Sequence, residues 1–241
     1  MSSELRFEGG GISAALRIRP SARARALRLK VDTRTGDVLL TVPRRVSQRK
    51  ALEWAAGHRA WVEAQLARIA PAATLTPGEI IPLYGTPHLI DWAAERPRLV
   101  QIEAGRILVG GPRDCVEARL LRWLRRHALD MLERETGEFA ALAKVKVGRV
   151  GVGDPGSRWG SCSASGGIRY SWRLILAPDW VRRATVAHEV AHRVHMNHGP
   201  DFHRLVEQLL GADPKPARQW LRDHGGALHR AARVGRGPLI G

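Results

Sequence analysis

At 241 residues the chain is long enough for one large domain or two modest ones, each with its own core. Its two cysteines, Cys115 and Cys162, stand far apart and make no disulfide framework, and no apolar run approaches the roughly 20 residues that span a bilayer. Lys and Arg number 39 against 23 Asp and Glu, a formal net charge of +16, so the surface attracts polyanions rather than cations.

In chain order, the N-terminus carries Glu4, Arg6 and Glu8 among few apolar residues and lacks a signal-peptide core, so a cytoplasmic protein with no membrane role is expected. Over residues 14–42, Leu16, Ile18, Leu27, Leu29 and Val31 alternate with basic residues, and Thr35-Gly36-Asp37 turns into a second apolar run, which predicts a hairpin or small sheet. Ser47 caps a helix that Trp54, Trp61, Val62, Leu66 and Ile69 trace as far as Pro71. Residues 71–77 read as a connector. Strands follow at 80–84, 88–92, 99–103 and 106–109, joined at Gly85-Thr86 and Ala104-Gly105. After Gly110-Gly111-Pro112 the period changes to that of a long helix over 115–143, and a domain boundary is expected there. Val145, Val147, Val150 and Val152 suggest a strand. Residues 168–176 alternate imperfectly as another, shorter helices follow near 202–210 and 214–224, and the chain from Gly225 reads as a frayed basic tail.

The most informative segment is His188-Glu189-Val190-Ala191-His192, an H-E-x-x-H pattern that Pro178 and Asp179 introduce as a helix. Four residues turn a helix by about 400°, so His188 and His192 project from one face about 6 Å apart along the axis and can grip one ion. Glu189, beside them, can take a proton from a zinc-activated water. A catalytic zinc site takes a third protein ligand, and both His195 and His198 are candidates. His195 lies two turns and about 10.5 Å from His188, too far for one straight helix, whereas His198 can return if the chain bends within Met196-Asn197-His198-Gly199-Pro200. His198 is therefore the expected ligand, with His195 in a supporting or substrate-facing position. The same spacing occurs in the metzincin signature, although His195 stands where that pattern has Gly.

Trp159-Gly160-Ser161-Cys162-Ser163, the run Leu174-Ile175-Leu176-Ala177-Pro178, the H-E-x-x-H segment and Asn197-His198-Gly199-Pro200-Asp201-Phe202 together resemble the YgjP-like metallopeptidase family, related to SprT-like zinc proteases. The resemblance takes in the basic stretch 23–43 and the Gly78-Glu79 and Tyr84-Gly85 segments. It departs from the usual pattern at Gly199, where Ser is usual, and at His203, where Trp is common. It implies that His188, His192 and His198 hold Zn2+, that Glu189 is the general base, and that Trp159 to Cys162 flank the cleft. Arg158, Tyr170 and His195 are open candidates for stabilising the oxyanion, and Cys162 reads as a small buried residue rather than a redox group.

The expected fold class is α+β: a small β-rich N-terminal domain with one helix (1–112), then a zincin-like catalytic domain with a short sheet and the H-E-x-x-H helix (113–225), then a flexible basic tail (226–241). The expected activity is hydrolysis of a polypeptide substrate by a zinc-dependent metallopeptidase. One alternative is a metal-dependent hydrolase of a nucleotide, against which stands the lack of a G-x-x-x-x-G-K-[ST] phosphate cradle. The other is a basic nucleic-acid-binding module with a structural metal, which would have no need of Glu189. Basic clusters at 17–30, 43–45 and 122–126 make non-specific nucleic acid a candidate partner. Arg-rich, Lys-poor usage (five Lys in all) also follows from GC-rich coding, and no helix-turn-helix, zinc-finger or base-stacking pattern appears that would read sequence.

Overall fold

A computed structural model describes residues 5–9, 12–33, 35–67, 69 and 74–232. The chain divides into two units, Met1–Pro71 and Ala72–Gly241. In the first, β1 (Arg6–Gly9), β2 (Ile12–Ser21), β3 (Arg28–Val31) and β4 (Val38–Pro43) form a sheet of order β1-β2-β4-β3. Strand β4 pairs parallel with β2 and antiparallel with β3. The register sets Leu16, Val38 and Val31 in one row and Ile18, Leu40 and Leu29 in the next, on the face that joins the unit's core. Helices α1 (Gln48–Gly57) and α2 (Arg59–Ala67) contribute Ala51, Ala55 and Val62 to that core. Ser47 caps α1 as expected, accepting from the Lys50 N–H, but the single helix foreseen here breaks at His58. There the imidazole Nδ1 donates to the Trp54 carbonyl, satisfying one of the acceptors that a helix end leaves open.

The second unit begins with β5 (Ile80–Leu83), β6 (Thr86–Ala93), β7 (Gln101–Glu103) and β8 (Arg106–Gly110), in the order β5-β6-β8-β7. Tyr84-Gly85 and Ala104-Gly105 have positive φ at both positions, the backbone of two-residue hairpin turns whose twist matches the strands. Helix α3 (Val116–Ala143) then crosses the unit. The boundary foreseen at Pro112 lies instead at Pro71. Ile81, Ile90 and Ile107 of the sheet share one core with Val116, Leu120 and Leu124 of α3, and Gly110-Gly111 is a packed turn rather than a linker. The Arg119 guanidinium donates to the Gly110 carbonyl, and Trp92 Nε1 donates to that of Gly111 at 2.8 Å.

A three-stranded sheet follows: β9 (Val150–Gly153), β10 (Gly160–Cys162) and β11 (Ile168–Ser171), in the order β10-β11-β9. The strand expected through Leu176 ends at Ser171. Residues Trp172–Leu176 form a 3-10 turn whose first N–H groups the Ser171 hydroxyl caps, accepting from the Arg173 N–H, and all five residues are buried. Helix α4 (Asp179–Ala191) starts just beyond, followed by α5 (Pro200–Leu210) and α6 (Lys215–Arg230). Helix α6 carries the chain well past Gly225, where a flexible tail was expected. Leu228, Ala231 and Ala232 are buried, and Arg173 donates to the Leu228 carbonyl at 2.9 Å and to that of Ala231, which anchors this end; residues 233–241 of the expected tail lie outside the described residues. No helix among the described residues is long and apolar enough to cross a membrane.

Candidate metal centre

Helix α4 is fixed on several sides before it reaches the histidines. The β5–β6 turn docks ahead of its first residue: Tyr84 and Gly85 donate to the carbonyls of Ile175 and Leu176 at 2.9 and 3.1 Å. A Cβ on Gly85 would come within 2.6 Å of the Pro178 ring. Arg182, 2% exposed, grips Glu135 of α3 through both Nε and Nη2 and also holds Asp179. Two charges so buried are tolerable only because each satisfies the other, and removing one would leave the other stranded. The pair thus sets how α4 lies on α3.

The helix ends one residue before the last letter of its motif. His192 is the C-cap residue, and tight turns through Arg193, Val194 and His195 follow, so the bend begins earlier than the Asn197–Pro200 segment suggested. It carries His198 back to His188, with their Nε2 atoms 3.2 Å apart. One ligand nitrogen from each of His188, His192 and His198 lies within 4.8 Å of the others. The Phe202 ring, on the first turn of α5, packs against all three imidazoles at centroid distances of 4.6–4.9 Å and limits how far they can splay. His192 Nδ1 donates to the His195 carbonyl at 3.2 Å, which leaves its Nε2 with a lone pair. His195 therefore supports the cluster through its backbone.

The donor set fits a metal ion. Two Zn–N bonds of about 2.05 Å at the tetrahedral angle hold their nitrogens about 3.3 Å apart, close to the observed separation of His188 and His198. Burial, with the neighbouring His192 and His198 adding to it, lowers the pKa of His188 to about 4, so its imidazole is neutral, the form that binds metal.

Glu189, 5% exposed, is raised by burial to about 7, with the Arg158 guanidinium opposing the shift. Gly160 makes room for it: a Cβ there would lie 2.5 Å from Glu189 Oε1 and 2.7 Å from Cδ. The Trp159-Gly160 step so brings β10 against α4. Ser171 N–H donates to the Trp159 carbonyl and Ser163 N–H to that of Gly167, so by antiparallel alternation Gly160 and Cys162 turn their own N–H and C=O groups away from β11. Among the described residues no strand pairs with that side of β10.

The remaining sequence candidates separate. Trp159 stacks on His229 at 4.5 Å and, with Arg158, lines a cavity that also touches His188 and Glu189. Tyr170 is fully buried, its hydroxyl 3.0 Å from that of Thr136 on α3, so it faces the core rather than the cavity. Cys162 is half-buried, and burial raises its thiol pKa, the environment of an unreactive cysteine. Sequence reasoning missed Arg218 and Leu221 of α6 and His203 and Val206 of α5, all of which line the same cavity. Only the helical periodicity near 202–210 and 214–224 hinted at them.

An α+β chain that gathers three imidazoles at a helix end, with a buried carboxylate beside the first, falls in the class of proteins able to hold a metal ion for hydrolysis. The family model of the YgjP-like metallopeptidase domain matches residues 25–224, and the chain belongs to that family. Membership implies a hydrolase with a polypeptide substrate. No curated protein and no solved structure matches the chain.

Proposed function

We propose that the protein is a zinc-dependent metallopeptidase in which His188, His192 and His198 hold Zn2+ and Glu189 is the general base. The observation that carries this reading is the gathering of three ligand nitrogens within 4.8 Å beside a buried carboxylate. A bound zinc ion supplies Lewis acidity and brings the pKa of water down to about 7. Glu189 accepts the proton of the attacking water at its carboxylate and later delivers it to the leaving amine. The free N–H and C=O groups of Gly160 and Cys162 bind the substrate as an added antiparallel strand, which holds the scissile carbonyl beside Glu189. Trp159 and the start of α6 wall one side of the cleft beside Glu189.

Protein stripped with a chelator is expected to lose casein hydrolysis and regain it with one equivalent of Zn2+, while nucleoside triphosphates stay intact. Equal casein hydrolysis by stripped and loaded protein would refute the reading, and cleavage of triphosphates alone would move the protein to the nucleotide-hydrolase alternative.

A second reading concerns the sheet of residues 6–43. Its register sets Arg19, Thr41 and Arg28 in one row and Arg17, Leu39 and Lys30 in the next, on the face opposite the core. Arg17 is tied to Asp37, whereas Arg19, Arg28 and Lys30 are exposed. Alternate residues on a strand stand about 6.7 Å apart, so the face is a grid of cations without aromatic base-stacking groups. We infer that it binds the phosphate backbone of nucleic acid without reading sequence. Replacing Arg19, Arg28 and Lys30 together with Ala is expected to weaken single-stranded DNA binding about equally for all sequences and to flatten the log–log salt dependence by about 0.7 for each phosphate no longer neutralised. Titrations at several salt concentrations decide it. An unchanged slope would remove this face from any nucleic-acid role.

A further inference from the structure

Beside His188 and Glu189 lies a cavity of about 250 Å3, set between α4, α5, α6 and the chain leading into β10. Its size comes from small residues on facing helices: Ala184 of α4 and Ala217 of α6 are buried, where longer side chains would fill the space. Val206, Leu221 and the Trp159 ring complete an apolar lining. A void of roughly 150 Å3 is known to accept benzene, so this one holds a phenyl, isobutyl or thioether side chain with room to spare. Ala184 and Thr185 stand one helical turn before His188 and Glu189, about 6 Å along the axis, which puts the cavity next to the reacting bond. It therefore faces a residue flanking that bond rather than a remote part of the substrate.

Two cations guard the opening. Arg158 and Arg218 are both exposed and line the cavity, and among the described residues neither side chain has an ion pair or hydrogen bond. Arg158 is close enough to Glu189, and Arg218 to His188, for its charge to be felt there. Glu189 is the only acidic side chain among the lining residues, so nothing else in the cavity competes for the guanidiniums. We propose that this cavity is a side-chain subsite for a large apolar residue adjoining the cleaved bond, and that Arg158 and Arg218 hold a carboxylate carried by the same ligand. That carboxylate comes either from the free C-terminus of a peptide or from an adjoining Asp or Glu. Lys and Arg are excluded by like charge. The proposal rests on the peptidase reading for the bond that is cut, but the binding it describes does not need hydrolysis.

The test is therefore a binding measurement. Methyl NMR of the zinc-loaded protein follows Ala184, Val206, Ala217 and Leu221 as N-acetylphenylalanine is added. These methyls are expected to shift, and N-acetylphenylalanine is expected to bind at least about tenfold tighter than N-acetylglycine, the worth of burying one aromatic side chain. N-acetyllysine is expected not to bind. The neutral N-acetylphenylalaninamide is expected to bind about fivefold weaker than the acid, and Arg218→Gln, a change at an exposed site that should not disturb folding, should cut that difference to about twofold, the share that Arg158 retains. Comparing N-acetylphenylalanine with N-acetyl-Phe-Asp amide tells a terminal carboxylate from a side-chain one, since the tighter ligand carries the preferred source. If N-acetylglycine matched N-acetylphenylalanine, or the methyls did not move, the subsite would be refuted. If the amide bound as tightly as both acids, the guanidiniums would have no part in it. Binding as expected in a protein that cuts no peptide would keep the subsite and overturn the peptidase reading instead, whereas casein hydrolysis without this preference would do the reverse.

Discussion

Glu189→Gln is expected to keep the metal content of the parent protein, about one ion per chain in both, and to hydrolyse casein about 10² to 10⁴ times more slowly than the parent. The amide fills the same buried space beside Gly160 but does not accept a proton near neutral pH. Burial, opposed in part by Arg158, holds the Glu189 carboxyl at about 7, and a cation held by the three histidines would draw it back towards the ionised form that a base requires. None of those histidines is touched by the change, so metal content measured by atomic absorption stays constant while kcat falls. Turnover at the parent rate would show that Glu189 is not the base, and loss of the metal would show that its charge is needed for binding rather than for proton transfer.

How much of this was legible in the chain depended on whether the signal was local. The hairpin strands β5, β6 and β8 were readable within a residue or two because two-residue turns containing Gly85 and Gly105 punctuate alternating apolar residues, and the Ser47 cap of α1 is a one-residue signal. The span 172–176 was not readable, because a wholly buried run has no periodicity, and the cap that marks the 3-10 turn is a single hydrogen bond that the Ser171 hydroxyl accepts from the Arg173 N–H. The unit boundary was misjudged for a similar reason. Gly110-Gly111-Pro112 has the composition of a linker, but its carbonyls are taken by Arg119 and Trp92, whose reach across the turn no local pattern records. In the candidate centre, the H-E-x-x-H spacing marked two of the three imidazoles and the carboxylate. The cavity wall on α6, with Arg218 and Leu221, arises from packing some 30 residues further along, and the basic tail composition concealed a helix that burial of Leu228 and Ala231 holds in place.

His198→Ala and His195→Ala are expected to part sharply, because the two residues serve the cluster through different atoms. His198 brings its Nε2 to within 3.2 Å of His188 Nε2, so its truncation removes one of three ligand nitrogens and should cost more than about a hundredfold in zinc affinity, beyond what losing a supporting hydrogen bond costs. His195 acts through its backbone carbonyl, which accepts the His192 Nδ1 proton and which alanine retains. Zinc affinity of His195→Ala should therefore fall by less than about tenfold, the low end for a disturbed supporting contact. Dialysis against a graded chelator buffer, followed by metal analysis, compares the two directly. If His195→Ala emptied the site while His198→Ala stayed loaded, the third ligand would be misassigned, and the turn from His192 to Gly199 would have to close differently around the ion.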